Sequence, residues 1–261
     1  MSAERSSVKA SLFVTCIVDQ FYPIVGESAV RVLRRLGVDV DFPSGQTCCG
    51  QPAFNSGFWA DAKPVARRVL KMLRGDRYVV VPSGSCASMI RVFYPELFRY
   101  EPGPLADARD LTPRVFELSE FIVEVLGVTD IAPYRESAGA PDSRTVTYHE
   151  ACHLRRELGV TTQPRTLITS APGVELVEAQ QSDVCCGFGG SFSVRYPDIS
   201  GAMLQDKIEQ LRETGAERFV SCDSGCIMHI AGGMERQKVD MRPVHIAELL
   251  DECLGPSTGS G

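Results

Sequence analysis

Cys48-Cys49-Gly50 and Cys185-Cys186-Gly187 are one motif written twice. Each vicinal pair stands between a distant cysteine upstream and another downstream. The first set is Cys16, Cys48, Cys49 and Cys86, spaced C-x31-C-C-G-x35-C. The second is Cys152, Cys185, Cys186 and Cys226, spaced C-x32-C-C-G-x38-C. Eight of the ten cysteines therefore form two matched quartets. Four thiolates is the donor number of an iron–sulfur cluster or a tetrahedral zinc. Four such sulfurs gather only where a cationic core neutralises them. Two metal sites, one per half of the chain, are expected. Gly50 and Gly187 let the backbone turn sharply enough for both adjacent cysteines to face one centre. Zinc sites usually carry close C-x2-C pairs, and no quartet has one; the pattern favours clusters and leaves zinc as the competitor.

Working outward, each quartet sits on alternating strand and helix signals. Residues 10–15 read as a buried strand leading to Cys16. Val25, Ala29, Val32, Leu33 and Leu36 follow at helical spacing, closed by Gly37. Residues 38–42 alternate like a strand before Cys48. Ala62, Val65, Ala66, Val69, Leu70 and Leu73 form a helical stripe, whose start Pro64 is expected to delay. Residues 78–82 are a third strand, ending at Ser83-Gly84-Ser85-Cys86. The second half repeats the order: strand 144–148, helix 163–170, strand 174–177, helix 200–213 and strand 219–221. Helices are expected to start after Cys86 and Cys226, aiming their positive ends at an anionic centre. Residues 115–122 and 244–250 are alike, so both halves end alike.

The fold class is therefore α/β: two pseudo-repeated halves, each a small, mostly parallel sheet flanked by helices, with the cysteines at the strands' C-terminal ends. Ligands of open α/β sheets sit at that end. The division is 1–127 for the first half, 128–143 for an Ala/Pro/Gly-rich linker, 144–254 for the second half and 255–261 for a disordered tail. In a chain of 261 residues each half is long enough for its own core. A hydrophobic share of 44% and a charged share of 23% fit a soluble globular protein. No apolar run approaches the roughly 18 residues of a membrane span. No secretory segment precedes the first strand, so a cytosolic setting with reduced thiols is expected. A net charge of −6 argues against nucleic acid and anionic membrane as partners.

Beyond the quartets, Cys253 lies on an apolar helical stripe and reads as core. Cys222, four residues before Cys226, is a candidate extra ligand. His149 and His153 flank Cys152 and are candidates to support the ligands from behind, as are Gly50 and Gly187; core or surface histidines are the plainer reading. Arg155 and Arg156 read as a solvated helix face and Trp59 as packing. Gly187-Phe188-Gly189-Gly190 brings backbone amides close to sulfur, one lever on reduction potential. It is not a dinucleotide fingerprint. No catalytic acid, base or nucleophile is assigned.

Five stretches resemble a known family: 48–57 (CCGQPAFNSG), 82–86 (PSGSC), 148–153 (YHEACH), 185–191 (CCGFGGS) and 223–226 (DSGC). They resemble the cysteine-rich CCG domain found in heterodisulfide reductase and in the glycolate oxidase iron–sulfur subunit. The similarity is greatest to the lactate-utilisation protein A family. That resemblance implies iron–sulfur clusters, of 4Fe-4S type and up to one per half, ligated by the two quartets. It implies a cytosolic oxidoreductase subunit that works with two other lactate-utilisation proteins, one carrying further clusters, in oxidising L-lactate to pyruvate. The heterodisulfide branch has a second cysteine at the positions of Ser83 and Asp223. Their absence here speaks against non-cubane clusters and thiol-disulfide chemistry. A heterodisulfide-type reductase subunit, a glycolate oxidase subunit and a zinc-stabilised scaffold remain the alternatives.

Overall fold

A computed structural model describes residues 7–136 and 143–255; the tail from 256 onward and residues 137–142 of the expected linker lie outside the described residues. Two four-stranded sheets are present, and every strand pairing is parallel. The first contains β1 (Lys9–Leu12), β2 (Asp39–Asp41), β3 (Tyr78–Val81) and β4 (Val115–Glu117), in the order β2-β1-β3-β4. The second contains β5 (Arg144–His149), β6 (Val174–Leu176), β7 (Arg218–Ser221) and β8 (Arg242–His245), in the order β6-β5-β7-β8. Val79, Val80 and Val81 are all buried, as a central parallel strand covered on both faces requires. The edge strand β2 reads Asp-Val-Asp, with both aspartates exposed.

This strand order places the site. The chain leaves β1 to one side to form β2, then crosses back to form β3, so the direction of winding reverses between β1 and β3. A crevice opens at the carboxyl end of such a switch point. Cys16 follows β1 and Cys86 follows β3, one on each lip, and Cys152 and Cys226 repeat this at β5 and β7.

Three expectations need correction. Each sheet has a fourth strand, β4 or β8, where only the likeness of 115–122 to 244–250 was visible. These short strands run directly into helices through capping boxes: Glu117 with Glu120, and His245 with Glu248. Second, Pro64 does not delay its helix, which spans Trp59–Met72 with the proline inside. Trp59 anchors the early start, its ring stacked on Phe54 at 5.2 Å and its Nε1 donating to the Phe54 carbonyl. Third, Cys86 and Cys226 lie within the first turns of Gly84–Ser88 and Ser224–Gln237, not ahead of them.

The halves interlock. The last helix, Ile246–Leu254, packs on Pro23–Arg35 of the first half. Asp251 there accepts from Ser28 Oγ at 3.1 Å and Arg31 Nε at 2.8 Å. In return Thr162–Ser170 packs on the Leu118–Glu120 segment of the first half. Near the centre, Gly84–Ser88 crosses Cys152–Leu158 so closely that a Cβ on Gly84 would lie 2.6 Å from Leu154 Cβ. Among the described residues no helix is long and apolar enough to cross a membrane.

Candidate metal centre

The four sulfurs of the first quartet form a continuous string. The Cys16 thiol is hydrogen-bonded to Cys48, Cys48 to Cys49, and Cys49 to Cys86 with 3.1 Å between sulfurs. The second quartet repeats the string: Cys152 to Cys185 at 3.9 Å, Cys185 to Cys186, and Cys186 to Cys226. In each string the first cysteine of the vicinal pair is the one pulled toward the thiolate form. Hydrogen bonds from Cys16 and Cys49, helped by the Gly50 amide, hold Cys48 far below the usual thiol range despite its burial. Cys185 is lowered in the same way by Cys152 and Cys186. Cys16, Cys49, Cys152 and Cys186 are raised, first by their sulfur neighbours and then by burial.

Backbone geometry supports both strings. Gly50 and Gly187 take φ of +88° and +87°, and their amides donate to Cys48 Sγ at 3.3 Å and Cys185 Sγ at 3.4 Å. Buried Tyr94 donates to the Cys49 carbonyl at 2.8 Å, and Ser200 to the Gly187 carbonyl at 2.8 Å.

All eight cysteines line one cavity of about 220 Å³ between the halves. Ser83 and Asp223 line it as well. Asp223 Oδ2 accepts from Ser83 Oγ and from the Ser85 amide, both at 2.9 Å, while Oδ1 accepts from the amides of Gly225 at 3.0 Å and Cys226 at 3.4 Å. One buried carboxylate thus ties together the N-termini of both cysteine-bearing helices. Sequence reading saw these two positions only as missing cysteines; their mutual bond, 140 residues apart, had no local signal.

The other candidates divide. His153 lines the cavity, its Nδ1 3.6 Å from Cys152 Sγ. Cys222 does not line it: its sulfur is buried 3.5 Å from the Tyr148 hydroxyl. Cys253 is buried in the core, and Arg155 pairs with Asp183 and Glu150. His149 is fully buried, and a ring nitrogen comes within 4.8 Å of the Cys186 and Cys226 sulfurs. Burial first, and then Lys207, lower its pKa to about 3, so the ring is neutral. Lys207 itself is a buried cation on Pro197–Arg212 that sequence reading missed, since it sits beside the Leu204/Ile208/Leu211 stripe; its Nζ donates to the Gln181 carbonyl at 2.9 Å. The donor chemistry fits metal at both quartets: four converging thiols, amides aimed at sulfur, and at the second an imidazole with neither nitrogen bonded among the described residues.

Comparison with known proteins agrees with this architecture. Residues 10–91 and 146–231 each match the family described as "CCG: Cysteine-rich domain". "Lactate utilization protein A" of Bacillus subtilis is 44% identical over 244 residues, covering 94% of this chain and 99% of that protein. The protein of the same name from Oceanobacillus iheyensis is 43% identical, covering 94% of this chain and 97% of that one. Among solved structures, a putative Asp/Glu racemase from Yersinia pestis has a TM-score of 0.31 at 12% identity, covering 95% of this chain and 97% of that one, too weak to inform the fold. With the motif, its duplication and near-full-length relatives in agreement, the chain belongs to the CCG cysteine-rich domain family, in its lactate utilization protein A branch.

Proposed function

We propose that this chain is an iron–sulfur electron-transfer subunit of a cytosolic complex that oxidises L-lactate to pyruvate. The observation that carries the reading is the convergence of two complete cysteine quartets on one cavity. Cys16, Cys48, Cys49 and Cys86 would hold one 4Fe-4S cluster, and Cys152, Cys185, Cys186 and Cys226 a second. Clusters of that kind take up and release one electron at a time. The protein's own part is to orient the thiolates, hold them dry and present amides to sulfur. The relatives' name supports lactate as the fuel, and family resemblance supports two partner subunits, one with further clusters, that handle the substrate and pass electrons on. Ser83 and Asp223, bonded to each other across the halves, occupy the positions that would carry extra thiols in the disulfide-reducing branch, which favours electron relay over thiol chemistry.

Anaerobic reconstitution followed by metal analysis and electron paramagnetic resonance tests the proposal. About four irons per quartet and a reducible brown chromophore are expected. Colourless protein holding zinc and refusing iron would overturn it in favour of a scaffold. Cys49→Ser and Cys186→Ser should each abolish one centre and spare the other. Deleting the gene should abolish growth on L-lactate where no second lactate dehydrogenase is present.

A further inference from the structure

The two quartets match, but their surroundings do not. At the place of His149, three residues before the leading cysteine, the first half carries Phe13, and both side chains are fully buried. Counted from the starts of the helices that follow, Trp59–Met72 and Pro197–Arg212, the first half has Val69, again buried, where the second has Lys207. The second quartet therefore has an imidazole and an ammonium near it where the first half has a phenyl ring and an isopropyl group.

The histidine is the more telling of the two. Both ring nitrogens are buried without a hydrogen-bond partner among the described residues. Burying a polar group unpaired costs about 1–3 kcal/mol, and native interiors seldom tolerate it. The Cys186 and Cys226 sulfurs lie within 4.8 Å of a ring nitrogen, so they and whatever they bind are within reach of it. An imidazole has at least one N–H in any tautomer. Lys207 adds positive charge close enough to Cys185, Cys186 and Cys226 to act on them electrostatically.

We propose that the two centres are electronically inequivalent, and that His149, seconded by Lys207, makes the second centre the one of higher potential by placing an N–H and a positive charge against its sulfurs. Hydrogen bonds to cluster sulfurs and added positive charge both favour the reduced form. His149 is a positioning residue here, and electrons entering at the first quartet come to rest at the second. This inference rests on the iron–sulfur reading of the quartets.

The test is a redox titration of the anaerobically reconstituted chain, followed by electron paramagnetic resonance. Wild type should show two separate midpoints. His149→Phe, which gives the second half the residue of the first, should lower the higher midpoint and leave the other in place. His149→Gln, which keeps an N–H, should restore part of the shift. Lys207→Met should lower the same midpoint, and carries the test if His149→Phe fails to load its second centre. Two coincident midpoints in wild type, or loaded His149→Phe and Lys207→Met variants with both midpoints unmoved, would overturn the inference while leaving the clusters intact. Wild type that takes up no iron would instead bring down the iron–sulfur reading, and the inference with it.

Discussion

Glu117 ends β4 with its carboxyl group fully buried. Oε2 accepts from the Ser119 amide at 2.8 Å and from the Ser119 hydroxyl; Oε1 has no partner among the described residues. Burial raises its pKa from 4.5 to about 7, although the bonds from Ser119 and Glu120 pull the other way. Its neighbours Cys222 and Tyr148 supply no positive charge to reverse this. Since the fold prefers the neutral acid, Glu117 contributes stability that is whole below pH 4.5 and lost as pH rises through about 7. The span corresponds to roughly 3 kcal/mol. Glu117→Gln keeps the acceptor for the helix cap and cannot ionise, so the wild type minus variant stability, followed by urea melts from pH 4.5 to 8, should fall with pH. A difference that stays flat would show that the carboxyl is ionised throughout. No sequence pattern marked Glu117: Val-Phe-Glu-Leu-Ser-Glu reads as one amphipathic turn, and only the paired strand buries its third residue. The quartet cysteines were legible because their chemistry lies in residue type and spacing, both visible without coordinates. His149 was visible as a candidate, but its lack of partners exists only in three dimensions.

Among the elements, long helices and central strands were legible from periodicity, and short elements stabilised by tertiary contacts were not. β4 and β8 have three and four residues, and the helices they enter are capped by Glu117 and His245 in place of the usual Ser, Thr, Asp or Asn. The glycine turns behind the cysteine pairs allow a sharper test. Gly50 and Gly187 share one backbone conformation, so alanine at either carries left-handed strain of about 1 kcal/mol. Their surroundings differ: a Cβ at Gly50 meets nothing closer than 3.5 Å, whereas at Gly187 it lies 2.8 Å from the Ser200 carbonyl. Ser200 also bonds the Gly187 carbonyl, so relief of that clash would displace the Cys185-Cys186 loop. Gly187→Ala should therefore lower the melting temperature by several degrees and cut metal uptake at the second quartet, while Gly50→Ala keeps both sites loaded. Equal effects from the two substitutions would mean the Ser200 contact does not hold the loop.

For the whole molecule, duplication was legible and the way the halves face each other was not, since that depends on packing between residues far apart in sequence. One close point of that packing is Gly84 against Leu154, where an added Cβ would lie 2.6 Å from the Leu154 Cβ. Gly84–Ser88 carries Cys86 of one quartet and Cys152–Leu158 opens with Cys152 of the other, so this crossing sets the spacing of both sets of sulfurs at once. Gly84 has no left-handed φ, so alanine there is harmful only through the crowding. Gly84→Ala should push the two helices apart, cost about 1–3 kcal/mol and lower metal uptake at both quartets together, unlike Gly187→Ala. Leu154→Ala alone opens a cavity in a fully buried place and should cost about 2–5 kcal/mol. The double variant gives the added methyl room in that cavity, so its loss should fall short of the sum of the two single losses by about 1 kcal/mol or more, with uptake at both quartets partly restored. Additive losses, or a Gly84→Ala defect confined to the first quartet, would show that the two sites are built independently and merely happen to share a cavity.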